Sequence, residues 1–202
     1  MTAAIGDLDH DSLVYVGRGA GLVSIGDDSA RVGARSATFV PAGSMAQLSA
    51  TAELEAIVAT VGAGADLHAP MGPAELVTSL DDADAESATS ARSFQILFGP
   101  HNGSTRATLF AGFIPPGKAP WHYHLYDEIV WVLRGEGRLH IGDTVEPLDP
   151  GAAFRLRPRE VHIVENSDPV AELTVLGIFT PAGSPSAAYL MPDVAEAYAI
   201  SG

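Results

Sequence analysis

Four residues of this chain are spaced to do chemistry together: His122, His124, Glu128 and His162. His122 and His124 are two apart, and positions i and i+2 of a strand share a face, so both rings can reach one centre. Glu128 follows after Leu125-Tyr126-Asp127, a segment short enough to bend and aim the carboxylate back. His162 comes about 35 residues on, past the turn signals Gly142-Asp143 and Asp149-Pro150-Gly151, and can arrive on a neighbouring strand. Three neutral imidazoles and one carboxylate suit a single divalent transition metal: Fe, Mn, Ni, Zn, Co or Cu. Four protein ligands on a six-coordinate ion leave about two positions open, an arrangement suited to catalysis rather than to a closed structural site. A bare His-x-His is weak by itself. The signal lies in the combination.

Strand parity sorts the neighbours. Val130 and Val132 share the parity of Glu128 and face inward, as a substrate wall or as plain core. Phe154 and Leu156 carry the same two readings. Trp121, Tyr123 and Trp131 have the opposite parity and are expected to pack between sheets or at a subunit contact. An inward Arg155 or Arg157 could clamp a substrate carboxylate, although surface salt bridges are the commoner fate. His140, near a strand rim, is a candidate for proton transfer. His101 falls in an exposed Gly-Pro-His-Asn-Gly loop, and His10 and His68 stand apart as non-ligands. No residue stands out as a catalytic base.

The segment from Gly117 through His122, His124 and Glu128 to Gly135 resembles the first motif of the cupin family, and Gly151, Pro158, His162 and Asn166 resemble the second. The resemblance covers most of residues 93–183 and implies that the three histidines and Glu128 are metal ligands. It also implies an all-β fold of double-stranded β-helix, jelly-roll-like barrels with little helix. Two departures stand in the sequence. The spacer from Gly117 to His122 is one residue short, and the turn Pro158-Arg159-Glu160-Val161 has no glycine.

The elements that must position these residues recur along the chain. Gly19–Asp27 resembles Gly135–Asp143 at an offset of 116, and Val14 and Val16 fall on Val130 and Val132. Such self-similarity predicts a two-repeat, bicupin-like organisation. Residues 1–78 are expected to form a degenerate, metal-free repeat, 79–92 an acidic linker, and 93–202 the metal-binding domain. The same offset puts Gly6, Leu8, Ser12 and Ala46 at the ligand positions, none fit for the task except the serine, a weak ligand. The first repeat has nothing before residue 1 to match the strand signals at 94–99 and 105–114. It is either truncated or completed from elsewhere, with 94–99 the obvious candidate. Short strands bounded by Gly, Pro, Asp and Asn are expected at Leu13–Val16, Gly21–Ile25, Ala37–Val40, Leu54–Val61, Ile129–Leu133, Arg138–Ile141, Ala153–Leu156, His162–Glu165 and Glu172–Phe179. Ala52–Ala59 is ambiguous, and Val194–Ala199 reads as a short terminal turn.

Composition narrows the function. With 25 acidic against 11 basic residues the net charge is −14, which disfavours nucleic acid as a partner. No cysteine is present, so thiolate catalysis, Fe–S clusters and Cys-type zinc sites are excluded. No signal peptide or membrane span is visible, and a cytoplasmic protein is the expectation. Cupins with this ligand set are often Fe-type dioxygenases acting on a small organic molecule. The alternatives are an isomerase, decarboxylase or lyase using the metal as a Lewis acid, or a cupin that binds a small molecule without turnover. Exposed barrel edges favour a homodimer.

Overall fold

The protein is described by a computed structural model covering residues 1–62, 64–65, 67–82, 85–88 and 92–190. The turn expected at Val194–Ala199 lies outside these residues. Every regular element among them is a strand, as the short apolar runs between turn residues require. Among the described residues, no helix is long and apolar enough to cross a membrane.

The chain divides into two compact units. One comprises Met1–Asp84, Gln95–Phe110 and Ile178–Gly183, the other Ala85–Phe94, Ala111–Gly177 and Ser184–Gly202. In the first, β1 (Thr2–Ile5), β3 (Ala20–Ile25), β4 (Asp28–Gly33) and β6 (Ala46–Ala50) form a sheet in the order β1-β6-β3-β4. A second sheet is ordered β7-β2-β5-β8, from β2 (His10–Arg18), β5 (Ser36–Val40), β7 (Glu55–Gly62) and β8 (Val77–Ser79). Their apolar faces bury Val16, Val23, Val32, Val40, Ala46 and Leu48. Gln95 and Leu97 belong to this unit, where the Gln95 amide donates to Ser79 O and Thr78 Oγ1 donates to Leu97 O.

The remaining strands are β9 (Glu86–Ser87), β10 (Ser93–Phe98), β11 (Thr108–Ile114), β12 (Gly117–Lys118), β13 (His122–Tyr123), β14 (Asp127–Arg134), β15 (Gly137–Ile141), β16 (Thr144–Leu148), β17 (Ala153–Leu156), β18 (His162–Asn166), β19 (Leu173–Thr180) and β20 (Tyr189–Leu190). They pair in the orders β17-β14-β19-β11-β10-β9 and β16-β15-β18-β13-β20, with β12 also on β18. β10, β11 and β19 are each divided between the two units. The core of the second unit gathers Ile114, Val130, Val132, Leu139, Leu148, Leu156, Val164, Leu173 and Val175. Complete burial of one such side chain is worth about 1.5–3 kcal/mol.

The pairings of the first unit return 116 positions on. Val14 opposite Thr38 is matched by Val130 opposite Phe154, and Val23 opposite Leu48 by Leu139 opposite Val164. Backbone conformation follows the same offset: Gly19 and Gly135 both have φ of 89°. A Cβ there would sit 2.1 Å from Glu53 O or 2.9 Å from Glu172 O, so neither position admits a side chain.

The glycine-free turn before His162 resolves in the same way. Gly43, with φ of 83°, has Arg159 at its equivalent, and Arg159 takes the left-handed conformation with φ of 66°. Its N–H donates to His124 O at 2.7 Å, tying the turn to the segment that carries a site histidine. A non-glycine residue there costs on the order of 1–3 kcal/mol, partly offset by the entropy glycine would lose. Arg159→Gly is therefore expected to leave stability unchanged or raise it by about 1 kcal/mol in urea denaturation, and a larger loss would remove this account.

Candidate metal centre

β13 is short and lies against β18 with His122 directly opposite His162, their ring centroids 4.4 Å apart. His124 stands one residue beyond β13, so the shared strand face expected for the His-x-His pair is only half realised. Its ring still converges, with its centroid 4.6 Å from that of His162 and 5.9 Å from that of His122. One nitrogen from each of the three rings lies within 4.8 Å of the others, a grouping that could hold a metal ion. The chain bends at Leu125 and Tyr126 and re-enters a strand at Asp127. Glu128, 5 % exposed and opposite Leu156, has its Oε2 3.2 Å from His124 Nε2.

Two of the three imidazoles are oriented through the nitrogen that faces away from the cluster. His122 Nδ1 is 2.9 Å from Pro120 O, and His162 Nδ1 is 2.8 Å from Glu160 O. A carbonyl only accepts, so Nδ1 carries the proton and Nε2 keeps its lone pair for a metal. His124 is held differently. Its Nδ1 is buried without a hydrogen-bond partner, and its ring stacks on Tyr126 with centroids 4.3 Å apart and planes 12° from parallel.

Burial sets the protonation states. It pulls His124 down to about 3 and His162 to about 4, with the neighbouring imidazoles adding to both shifts, and it lowers His122 as well. All three rings are neutral at pH 7. Burial pushes Glu128 up to about 8 and raises the Tyr126 phenol, the latter helped by the Glu128 charge. Burial thus disfavours the charged form of both His124 and Glu128, and their 3.2 Å contact is not held as an ion pair. The donor set fits a divalent ion. Ligand atoms about 2.1 Å from one centre lie roughly 3 Å from each other at right angles, which is close to the separation of His124 and Glu128.

Other side chains considered from the sequence have structural placements. Val130, Val132 and Leu156 are core, with Phe154 packed against it. Arg155 is exposed and forks onto Asp127, and Arg157 pairs with Glu160 at 3.7 Å. Ile141 lies opposite His162, so its neighbour His140 faces the other side of the sheet. There His140 Nε2 meets Glu165 Oε2 at 2.6 Å and its ring meets Trp121 edge-on, so it takes no part in the cluster. Tyr123 stacks on Tyr189, and Trp131 is half-buried. His101 and His68 are exposed, and His10 pairs with Asp7. One residue that spacing did not single out borders the site: Tyr126, stacked on His124 and legible only as a neighbour of the motif residues.

In the first unit, Ser12 opposite Val40 and Ala46 opposite Ile25 occupy the registers that Glu128 and His162 hold in the second. The residue opposite Ala46 on β1 is Ile5, one before the Gly6 reached by simple offset. Of these residues only Ser12 carries a side-chain donor, a weak one.

Residues 111–179 match the family model described as "Cupin domain". The match spans about a third of the chain, and the barrel strands of the second unit agree with it. No curated protein matches the sequence. Among solved structures, a Cupin 2 conserved barrel domain protein from Leptotrichia buccalis is 15 % identical, with TM-score 0.62 over 89 % of this chain and 78 % of that one. The Lactobacillus farciminis oxalate decarboxylase formate complex is 10 % identical, with TM-score 0.75 over 96 % and 76 %. A Bacillus subtilis oxalate decarboxylase, studied for its Mn(II) centers, is 15 % identical, with TM-score 0.73 over 98 % and 72 %.

Proposed function

We propose that the chain is a metal-dependent enzyme acting on a small organic molecule, with one divalent transition metal held by His122, His124, Glu128 and His162. The observation that carries this reading is the convergence of three neutral imidazoles inside an apolar barrel, with the Glu128 carboxyl 3.2 Å from one of them, His124. Burying such groups costs several kcal/mol unless something binds them. A bound metal supplies Lewis-acid or redox chemistry at the positions its protein ligands leave open. Val130, Leu156 and Phe154 exclude water around those positions, and Pro120 O and Glu160 O fix the rings.

We read the activity as that of an Fe-type dioxygenase. A decarboxylase using the metal as a Lewis acid is the second reading, favoured by the oxalate decarboxylases among the fold relatives. An isomerase, a lyase or a non-catalytic binder follows behind. Oxygen uptake by the iron-loaded protein with candidate substrates, abolished in His122→Ala, is the expected result. Turnover without oxygen uptake would replace the first reading by the second.

Metal uptake tests the ligand set through its pH dependence. The histidines need lose no proton near neutral pH, whereas Glu128 does. Apparent affinity should therefore rise about tenfold per pH unit towards pH 8 and level off above it, and Glu128→Gln should flatten the slope. Calorimetric titrations across pH 6–9 that show no slope in the wild type would remove Glu128 from the ligands.

We further read residues 1–78 as a metal-free repeat joined through 79–92 to a metal-binding repeat at 93–202. This boundary belongs to the sequence repeat, since Gln95–Phe110 packs with the first compact unit. A cytoplasmic homodimer completes the proposal. It is supported by the apolar edge strand β7, on which Val58 is 46 % exposed. Light scattering that returns a single-chain mass would remove the dimer.

A further inference from the structure

The three imidazoles of the cluster are not held alike. The terminal torsion of a histidine side chain is broad, so its rotamer does not fix the plane of the ring. A ring turned about that bond swings its Nε2 lone pair off the common centre. A metal-binding histidine is therefore steadied by a bond to its other nitrogen. His122 and His162 have such a bond, from Nδ1 to the carbonyls of Pro120 and Glu160. His124 does not. Its Nδ1 is buried with no hydrogen-bond partner among the described residues.

What lies against His124 is the ring of Tyr126, with centroids 4.3 Å apart and planes 12° from parallel. The two rings share a side of the chain because Leu125 between them turns outward. Leu125 is 49 % exposed, whereas His124 is 5 % and Tyr126 8 % exposed. Strand-like alternation is thus carried through the bend between β13 and β14. The Arg159 N–H holds the main chain here, by donating to His124 O at 2.7 Å, but it does not touch the ring. Tyr126 is anchored in turn at its far end, where its hydroxyl donates to Pro185 O. At 3.4 Å that bond is long and weak, so the flat face of the ring is the stronger feature.

We infer that Tyr126 is the positioning residue for His124. Its stacked ring does for this ligand what the carbonyls of Pro120 and Glu160 do for the other two. The inference rests on the proposed metal site and specifies how its third histidine is kept in place.

Calorimetric titration with Co(II), together with the visible spectrum of the Co(II)-loaded protein, tests it in three variants. Tyr126→Leu should bind Co(II) about 10–100-fold more weakly than wild type, the usual loss when the group that orients a metal ligand is removed. Its spectrum should change as well. Tyr126→Phe keeps the ring and should match wild type in both readouts. Asn166→Leu removes hydrogen bonds at the end of β18 without touching His124, and it should also match wild type. A leucine variant at position 126 with wild-type affinity and spectrum would overturn the inference. So would a phenylalanine variant as weak as the leucine one, or an equal loss in Asn166→Leu. If Tyr126→Leu fails to fold in a thermal melt, proton NMR of the wild type and Tyr126→Phe decides. The carbon-bound ring protons of His124 should be moved upfield by the ring current of residue 126, and unshifted protons would overturn the inference. The same spectra of the metal-free protein keep the two proposals apart. A wild type that takes up no metal sinks the metal site, and the ring-current shift still judges the stack.

Discussion

The His122→Ala/His162→Ala double variant is expected to retain no metal, against about one ion per chain in the wild type. His122 and His162 face each other across β13 and β18, so the double change removes both sides of the cluster. What remains is His124 with Glu128, two donors 3.2 Å apart, too few to hold a divalent ion against water. The effect should also appear in stability. A ligand that binds only the folded state at 100 times its dissociation constant stabilises by about 2.7 kcal/mol. Wild type should gain about that much in urea denaturation with metal, and the variant nothing. Equal metal content in both proteins, by elemental analysis after dialysis, would show that the cluster is not the site. Iron in the wild type would favour the dioxygenase reading, and Mn, Ni or Zn the Lewis-acid readings.

Asn166→Leu should destabilise the protein by about 2–5 kcal/mol without changing metal content. Asn166 is 2 % exposed, and its amide donates to Ile114 O and Ala171 O at 2.8 Å each. Its Oδ1 accepts from the Asp168 N–H at 3.0 Å. One side chain thus ties the end of β11 to the turn between β18 and β19. Leucine matches the size but supplies no donor, so two carbonyls lose their partner at about 1–3 kcal/mol each. His162 lies four residues away and keeps its own bond to Glu160 O, so the metal site should persist. A shift below about 1 kcal/mol in urea midpoints would mean that water replaces the lost bonds. The asparagine of the second motif is on this account a structural residue, distinct from the ligands it accompanies.

The spacing of His122 and His124, with His162 after two turn signals, was sufficient to bring out the three histidines that the fold gathers into a group able to hold a metal. Ligand chemistry is local, and a motif preserves it in a few consecutive residues. The 116-residue offset was equally legible, because equivalent pleats and turns demand equivalent residues. Strands such as β1, β4 and β16 left little trace. The burial pattern of β16 is exposed at all but its last position, so no apolar alternation marks it. They are strands because a neighbour offers a ladder, which propensity does not encode. The left-handed Arg159 was hidden for a similar reason: its conformation is imposed by a turn that its own side chain disfavours. For His140, strand alternation was available in the sequence, but which side of β15 faced the cluster was fixed only by Ile141 lying opposite His162.

The sequence by itself determined an all-β cupin fold, its recurring pattern and the residues able to hold a metal, since these depend on residue type and short-range spacing. Tertiary structure alone decided which groups stand around them. His122 faces His162 across β13 and β18, and Tyr126 lies under His124 only because the chain bends between β13 and β14. Those contacts arise where strands distant in sequence close into one barrel, and the electrostatics of the site follow from that closure.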